Sequence, residues 1–310
     1  MSRPSLPRVC VLLSSFNGER FIDRQISSIL DQEGVQVSLF IRDDGSTDGT
    51  LQIVNSFVQR DPRVVLLSDP EIGPTGLPTK AFFRLFALVD LSDFDFVSLA
   101  DQDDVWLPEK LARSTHALTT HDAAGYSSNL TCFYEDGGMR ELRKSGPQRK
   151  LDYIFQGASA GCTYVIRPHL AREIALRFGT REAIDALPDK ASHDWLIYAI
   201  CRGSGERWFM DESSGILYRQ HQRNVYGAQS GAAGLLWRFK LARSGWYFTQ
   251  ILFLDTVLSP TAAHQQIFAA IRRLAVLDRI WLAIHSQQFR RGRFQAGLLA
   301  LYFLCAKRPE

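Results

Sequence analysis

The first hundred residues alternate short apolar segments rich in β-branched residues with segments of helical periodicity. This order of strand, helix, strand and helix is typical of a right-handed, mostly parallel sheet flanked by helices. The sequence therefore predicts an α/β fold in which ligands bind outside the carboxyl ends of the strands. The predicted strands are RVCVLLSS, VSLFIRDD, RVVLLSD and FDFVSLADQDD, and the predicted helices are RFIDRQISSILDQ, TLQIVNSFVQR and KAFFRLFALVD.

Size and cysteine usage limit the class of protein. A chain of 310 residues with 45% hydrophobic content can bury the core of one or two domains. Its five cysteines are scattered and never spaced as C-x-x-C, so neither a disulfide framework nor a thiolate zinc site is indicated. The apolar run near Met1 is too short for a signal peptide. We therefore expect a cytoplasmic protein whose mature chain begins at Met1.

The charge is distributed unevenly along the chain. The net charge of +3 divides into about +8 for residues 231–310, which hold 11 Lys and Arg against 3 Asp and Glu, and about −5 for the rest. A basic tail suggests an anionic partner such as a membrane surface, although a solvated charged face is the commoner meaning. No feature predicts a nucleic-acid partner.

Polar residues follow three of the predicted strands, in SSFNG, DDGSTDGT and DQDD. The second group could be only a tight turn before a helix. The third places Asp101, Asp103 and Asp104 within four positions, where adjacent carboxylates repel by roughly a few kcal/mol at an effective dielectric near 20. We expect Asp104 to cap the helix that follows and a cation to stabilise the other two carboxylates.

Oxygen ligands favour a hard ion, Mg²⁺ or Mn²⁺, whose coordination is usually completed by phosphate oxygens and water. A diphosphate is therefore the expected ligand. The sequence contains neither G-x-x-x-x-G-K-[ST] nor G-x-G-x-x-G, which excludes the two common glycine-rich phosphate loops. We therefore predict that the metal holds the phosphates.

Five segments carry a resemblance to a known family. LLSSFNGERFIDRQISSILDQ, IRDDGSTDGT, SLADQDDVWLPEKL, SHDWLIYAICRG and LYRQHQRNVYGA resemble, in this order, the rhamnosyltransferase branch of glycosyltransferase family 2. The resemblance implies a GT-A nucleotide-binding domain over residues 1–230, with a donor half to about 128 and an acceptor half after it. Residues 231–310 would form a basic, amphipathic helical extension. The resemblance also implies that the enzyme binds a divalent metal and inverts the configuration at the anomeric carbon.

The same resemblance implies roles for individual residues on the donor side. Asp103 would bind the metal directly, and Asp101 would lie against the ribose or a metal-bound water. Asp44 would accept a hydrogen bond from the imide N–H of the base. The other implied donor-binding residues are Ser14 and Phe16 in the base pocket, Asp43 beside it, and Asn17 and Gln102.

An inverting transfer needs one general base to deprotonate the acceptor hydroxyl. Asp194 in SHDW matches the family's base, although a first-turn aspartate favoured by the helix dipole is the plain alternative. His221 in YRQH is a candidate metal ligand or donor to the diphosphate, and a structural histidine is its alternative. His193, Trp195 and Gly161 are expected on the acceptor side.

Two other functions fit parts of the sequence. Gly157, Ser159 and Gly161 match the nucleophile elbow G-x-S-x-G of an esterase, with Asp211 and His221 following in the expected order. The elbow requires a helix directly after the serine, and CTYVIRP is typical of a strand. A nucleotide-sugar-binding module that has lost its chemistry is the third possibility.

The tail contains two apolar segments of helical character. IFAAIRRLAVLDRIWLAI has one apolar face, and FRRGRFQAGLLALYFLCAKR has an apolar run whose helix, about 20 Å long, is too short to cross a bilayer of about 30 Å. Packing on the catalytic domain, a homodimer and peripheral membrane attachment all fit them.

The sequence thus predicts a transferase that moves a sugar onto a bacterial cell-surface or lipid-linked glycan. The family resemblance implies that the sugar is L-rhamnose and that its donor is dTDP-L-rhamnose.

Overall fold

The computed structural model describes residues 5–189, 191–221 and 246–306. These residues form two compact units. Unit 1 comprises residues 5–145, 159–187 and 207–221, and unit 2 comprises residues 146–158, 188–206 and 246–306. The domain boundary expected near residue 230 lies outside the described residues. Two segments that precede it, 146–158 and 188–206, belong to unit 2.

Unit 1 is built on a sheet of nine strands within the described part of the chain, in the order β3-β2-β1-β4-β8-β6-β9-β5, with β7 paired to β6. The first four strands pair in parallel in the order β3-β2-β1-β4. The strands are β1 Arg8–Ser15, β2 Gln36–Asp43, β3 Val64–Leu67, β4 Phe96–Ala100, β5 Val105–Trp106, β6 Gly125–Tyr134, β7 Met139–Leu142, β8 Val165–Ile166 and β9 Trp208–Gln220.

The register of the parallel strands brings three chain segments to one edge of the sheet. Ser15 at the end of β1 is opposite Asp43 at the end of β2, and Leu13 is opposite Ala100 at the end of β4. The segments after these strands are SSFNG, DDGSTDGT and DQDD, as predicted. The predicted α/β fold with a mostly parallel, mixed sheet is therefore confirmed.

The second half of the sheet is mixed. Strand β8 is antiparallel to both β4 and β6, whereas β6 and the 13-residue β9 run parallel with two register shifts. The short strand β5 pairs antiparallel with β9 through Val105 and Trp106. The sequence did not predict β5, which follows the DQDD segment directly. This pairing brings the end of β9 next to the carboxyl end of β4.

Helices cover the sheet because their apolar residues recur on one face. In α1, Ile22, Ile26 and Ile29 are completely buried and pack with Val11 and Ile41 in the core. The helices of unit 1 are α1 Ile22–Leu30, α2 Thr50–Arg60, α3 Pro78–Leu88, α4 Lys110–Thr120, α5 Pro168–Phe178 and α6 Arg181–Asp185. The first three correspond to the helices expected between the first four strands.

Unit 2 is helical in its described residues. A 3₁₀ turn at Asp152–Ile154 packs with α7 His193–Gly203 and with helices of the C-terminal segment. Those are α8 Trp246–Val257, α9 Ala262–Arg273, α10 Val276–Ile284, α11 Ser286–Phe289 and α12 Arg293–Cys305. The helical extension expected at the C-terminus is therefore present. Across the described ranges, no helix combines the length and the apolar composition that a membrane span requires.

Candidate functional site

Asp43 organises the turn after β2. Its carboxylate accepts hydrogen bonds from the backbone N–H of Gly45 at 3.1 Å and of Ser46 at 2.7 Å. The hydroxyls of Ser46 and Ser15 donate to it as well, at 2.6 and 2.8 Å. Gly45 has φ +90°, a left-handed conformation that favours glycine. Asp43 therefore joins the ends of β1 and β2, which agrees with the turn that the sequence suggested.

Asp44 is a buried carboxylate already surrounded by donors. The guanidinium of Arg42 lies 2.7 Å from its Oδ1, and both residues are almost completely buried. The backbone N–H groups of Thr75 and Gly76 donate at 2.7 and 2.8 Å, and the Thr75 hydroxyl donates at 3.0 Å. Ion pairing and hydrogen bonding of this kind offset the cost of burying the charge. The base contact expected of Asp44 stays a prediction.

The Arg42–Asp44 pair extends into a network of buried charges. Arg42 also lies 3.2 Å from Asp69, and Arg84 contacts the same carboxylate with two nitrogens at 2.9 and 3.0 Å. Burial opposes ionisation of Asp69, but Arg84 and Arg42 hold its pKa below the ordinary value. The Arg42 guanidinium also donates to the carbonyl of Gly73. The network therefore fixes residues 73–76 against the end of β2.

The segment after β1 is joined to the segment after β4 by Gln102. Its amide pairs with both backbone groups of Phe16, accepting from the N–H at 2.8 Å and donating to the carbonyl at 2.9 Å. A Cβ on Gly18 would lie 2.3 Å from the Gln102 amide oxygen, so a side chain at residue 18 would displace this amide. The Phe16 ring itself is 54% exposed. It is therefore accessible for stacking on a ligand.

Ser14 and Asn17 lie in the same region. Ser14 is half-buried at the end of β1, opposite Arg42. Asn17 has φ +48°, and its side-chain oxygen accepts from the Thr47 N–H at 2.9 Å. The structure therefore brings together the predicted donor-side residues, namely Ser14, Phe16, Asn17, Asp43, Asp44, Asp101, Gln102 and Asp103, at one edge of the sheet.

Asp103 and His221 face each other at the edge where β4 and β9 end. His221 Nε2 lies 2.8 Å from Asp103 Oδ2, and their side chains are 10% and 17% exposed. The His221 ring stacks on Phe21 with a centroid distance of 4.9 Å. Arg219 donates to the Asp103 carbonyl at 2.8 Å and stacks over the same Phe21 ring. Two residues 118 positions apart in the chain thus form one partly accessible pair.

Asp104 is completely buried, and its predicted role as a helix cap is wrong. Helix α4 begins at Lys110 with Glu109 as its N-cap and has no side-chain cap. Asp104 instead accepts from the Arg219 backbone N–H at 3.1 Å. Burial, together with the neighbouring Asp103 and Asp101 carboxylates, holds the pKa of Asp104 well above its ordinary value. The strand β5 that follows carries Asp104 inward and separates it from α4.

Lys110 has a buried amine near Asp104, and the sequence did not predict its burial. Lys110 is 3% exposed, and its Nζ lies 3.1 Å from the Ser98 hydroxyl and 3.3 Å from the centroid of the Trp106 ring. Burial lowers the pKa of Lys110 to about 7, although the thiol of Cys162 and the carboxyl of Asp104 oppose the shift. Lysine in an amphipathic helix usually lies in solvent, so no pattern indicated this position.

The side chains at this edge differ in how well they suit a divalent cation. Ligand atoms about 3 Å apart suit an octahedral ion whose ligands lie at about 2.1 Å, and the Asp103–His221 pair has this spacing. Asp101, Asp104 and Cys162 also place their ligand atoms within 4.8 Å of one another. Asp104 and Cys162 are completely buried, however, and a thiol is a poor ligand for a hard ion. The partly accessible pair of Asp103 and His221 is the better fit.

The structure argues against the esterase alternative. The Ser159 hydroxyl is buried and donates to the Ser128 carbonyl at 2.7 Å. The chain then forms a 3₁₀ turn at Gly161–Thr163 and enters the strand β8, whereas a nucleophile elbow requires a helix after the serine. Asp211 accepts from the Tyr126 hydroxyl at 2.9 Å and the Arg113 guanidinium at 2.8 Å.

Asp194 lies in unit 2, in the first turn of α7. Its carboxylate accepts from the Ser192 hydroxyl and from the Trp195 backbone N–H, the latter at 2.8 Å. Burial lowers the pKa of the adjacent His193, so this imidazole favours the neutral form. Trp195 is buried, and its indole N–H donates to the Tyr153 carbonyl at 2.8 Å. Gly161, the remaining residue expected on the acceptor side, is buried in unit 1.

The C-terminal segment supports the region around Asp194 within unit 2. Arg291 lies 3.2 Å from the completely buried carboxylate of Asp152 and donates to the Gly157 carbonyl at 2.7 Å. Tyr198 of α7 donates to the same carboxylate at 2.9 Å. Tyr247 of α8 stacks on Trp195 with a centroid distance of 5.7 Å. The extension is therefore part of the framework that holds α7.

The sequence is similar to a known protein family and to a curated relative. The model of glycosyl transferase family 2 matches residues 10–171. The chain belongs to glycosyltransferase family 2. It is 33% identical over 247 residues to the dTDP-rhamnosyl transferase RfbG of Shigella flexneri, an alignment that covers 80% of this chain and 84% of the relative. The resemblance that the motifs predicted is therefore confirmed, and the protein is a glycosyltransferase.

Two solved structures show the same fold at low identity. S. aureus TarS in complex with UDP-GlcNAc matches with a TM-score of 0.56 and 16% identity, over 95% of this glycosyltransferase and 79% of TarS. The mannosyltransferase PcManGT from Pyrobaculum calidifontis, in complex with GDP-Man and Mn²⁺, matches with a TM-score of 0.53 and 14% identity, over 97% and 86% of the two chains. The expected GT-A type of fold is confirmed by these likenesses.

Proposed function

We propose that this glycosyltransferase moves L-rhamnose from dTDP-L-rhamnose onto a bacterial cell-surface polysaccharide or lipid-linked glycan, with inversion at the anomeric carbon. The observation that carries the proposal is the accessible Asp103–His221 pair at the carboxyl edge of the sheet, beside the exposed Phe16. The choice of donor is supported by the 33% identity to a dTDP-rhamnosyl transferase. In this proposal Phe16 and Ser14 contact the base, Asp101 lies against the ribose or a metal-bound water, and Gln102 contacts the donor.

Asp103, His221 and Asp101 would hold Mg²⁺ or Mn²⁺. When bound, the cation would neutralise the negative charge that develops on the departing diphosphate. The protein's own contribution is to hold these side chains in place, because Gln102 fixes Phe16 and Arg219 binds the Asp103 carbonyl. A site held in this way needs little rearrangement when the donor binds.

Asp194 is the proposed general base. An inverting transfer forms the new bond between the acceptor oxygen and the anomeric carbon while the bond to the diphosphate breaks, and the acceptor proton must go to a base. The Asp194 carboxylate would take that proton while the Ser192 hydroxyl and the Trp195 N–H hold it in one orientation. His193, Trp195 and Gly161 are proposed to shape the acceptor side, in a half that begins after residue 128.

A donor screen tests the proposed function. Release of nucleoside diphosphate should be measured with the purified full chain, glycan acceptors and either Mg²⁺ or Mn²⁺, for dTDP-L-rhamnose and for UDP- and GDP-sugars. We expect dTDP-L-rhamnose to be turned over at least about a hundredfold faster than the other donors. Asp194→Asn should lower kcat by roughly 10²–10⁴-fold while the donor dissociation constant stays unchanged. Equal turnover of all donors would contradict the donor assignment, and acceptor-independent binding without turnover would indicate a non-catalytic module.

A further inference from the structure

Most of the exposed large apolar side chains of the described residues lie in two helices of unit 2. Among the described residues, fourteen large apolar side chains are exposed, and eight of them belong to α10 and α12. Single exposed apolar side chains are ordinary, whereas a group of this size on two neighbouring helices marks a binding surface. We call it the apolar patch, consisting of Val276, Leu277, Ile280, Ile284, Phe294, Leu298, Leu301 and Leu304.

The exposed residues of α10 recur with helical spacing. Leu277, Ile280 and Ile284 are separated by three and four positions, so they form one row on the helix surface. Leu277 is 79% exposed and Ile284 72% exposed, whereas Leu282 is completely buried on another side of the helix. Helix α10 therefore packs by one side and presents an apolar row to solvent by another.

Helix α12 has the same organisation. Phe294, Leu298 and Leu301 are separated by four and three positions and are exposed, whereas Leu299 and Phe303 are buried. Arg279 of α10 donates to the backbone carbonyls of Leu304 at 3.3 Å and Ala306 at 2.6 Å. This link holds the end of α12 against α10. The two apolar rows are therefore fixed next to each other within one unit.

The described C-terminal residues 246–306 are basic in sum, with six arginines against two aspartates. From Arg279 to Pro309 the sequence contains six Lys and Arg residues and no Asp or Glu. Arg293 is exposed at the first position of α12, directly before Phe294 of the patch. Asp278, the last acidic residue before this stretch, is paired with Arg273 at 2.7 Å. Arg291 is paired with the buried Asp152, whereas the exposed Arg293 carries positive charge directly beside the apolar patch.

We propose that the apolar patch and the basic residues beside it seat the protein on an anionic lipid surface, with α10 and α12 lying in the interface. Apolar rows on helices with Lys and Arg beside them are the elements of interfacial membrane binding, which gains from both buried apolar area and attraction to anionic headgroups. A second copy of the chain would fit the apolar residues less well, because a two-fold interface brings the same positive charges together. The inference rests on unit 2 alone and does not depend on the proposed donor.

Vesicle flotation of the full chain tests this inference. The probes are vesicles of phosphatidylcholine alone and of phosphatidylcholine mixed with phosphatidylglycerol. We expect binding to be at least about tenfold stronger with the anionic lipid and to weaken at high salt. Leu277→Ser combined with Ile284→Ser should weaken binding by at least about tenfold, because apolar area is lost from the interface. Arg293→Glu should weaken binding to the anionic vesicles specifically.

Leu176→Ser is the matched control, because Leu176 is 86% exposed on α5 in unit 1 and lies outside the apolar patch. It should bind the vesicles as the wild type does, and thermal unfolding should show that all the variants remain folded. Equal binding by the wild type and the double variant, or binding by neither, would overturn the proposal. It would also be overturned if sedimentation velocity showed a lipid-independent dimer that the double variant abolishes, since a second copy would then cover the patch.

Discussion

The aspartates at the ends of β2 and β4, two strands that both pair with β1, look alike in sequence but differ in their partners. Asp43 and Asp44 after β2 receive hydrogen bonds or ion pairs from the protein on both carboxylates, with Arg42 and Thr75 contacting Asp44. Asp103 after β4 faces a single imidazole and stays partly accessible, beside other carboxylates. The carboxylates of Asp43 and Asp44 are satisfied by the fold, whereas that of Asp103 has capacity for a ligand. Aspartates in similar motifs therefore differ in how far the protein's own donors occupy their carboxylates.

The largest expected effect is on activity, at Asp103. Asp103→Asn should lower kcat for sugar transfer by about 10³-fold or more, because the proposed cation loses its carboxylate ligand. The melting temperature should be unchanged or slightly higher, since the substitution removes repulsion with neighbouring carboxylates. Steady-state kinetics and thermal unfolding measure the two quantities. If Asp103→Asn kept its activity, the contrast between Asp103 and the Asp43–Asp44 pair would be lost.

The opposite response is expected at the buried Arg42–Asp44 pair. Arg42→Met should destabilise the protein by about 3–5 kcal/mol, because it leaves the buried Asp44 and Asp69 carboxylates without a shared partner. Arg63→Met is the matched control, since Arg63 pairs with Asp61 at the surface, where an ion pair is worth about 1 kcal/mol or less. Urea unfolding measures both values. Equal destabilisation by the two variants would show that burial does not distinguish the pairs.

A third satisfied carboxylate, Asp152 in unit 2, extends the comparison. Arg291→Met should cost about 2–3 kcal/mol, because Asp152 is completely buried and loses its cation. Arg293→Met, in the same segment but at an exposed position, should change stability by about 0.5 kcal/mol or less. Thermal unfolding compares them, and hydrogen exchange should show faster exchange in residues 152–158 only for Arg291→Met. Unchanged exchange in that segment would mean that Arg291 does not hold it.

A further expected effect is a change in the pH dependence of stability at Lys110. Its folded pKa of about 7 is below the unfolded value of about 10.4, so between these values the unfolded chain binds a proton that the folded chain does not. Stability should therefore rise with pH over this range, by up to about 1.4 kcal/mol per pH unit. Lys110→Met should remove this part of the slope. Urea unfolding at pH 7, 8 and 9 measures it, and identical slopes for the two proteins would contradict the assignment.

The fold was predictable from the sequence where local pattern and tertiary packing agree. The four parallel strands and the helices between them were expected, because Ile22, Ile26 and Ile29 repeat with helical period and the strands consist of apolar, β-branched runs. The approach of the three strand ends followed from that topology. The two-residue β5 was not expected, since its pairing depends on β9 more than a hundred residues later.

The sequence predicted that the polar segments at the ends of β1, β2 and β4 meet, but it did not predict the partners of their side chains. Arg42 in IRDD looks like a solvent-facing residue at a strand end, and its burial depends on Asp69, 27 positions away. The sequence likewise did not indicate that Lys110 is buried, because its surroundings are set by the fold. No local pattern predicted that residues 146–158 and 188–206 belong to the same unit as the C-terminal helices. Long-range ion pairs are set by the fold, so sequence periodicity does not reveal them.

The most direct test of the central claim is calorimetric titration of the full chain with dTDP, in EDTA and in Mn²⁺. The account predicts that Mn²⁺ tightens dTDP binding by at least about tenfold and that Asp103→Asn and His221→Ala each abolish this gain. Arg63→Met should retain it in full. Equal affinity for dTDP in EDTA and in Mn²⁺ would contradict the claim that Asp103 and His221 hold a cation for the diphosphate.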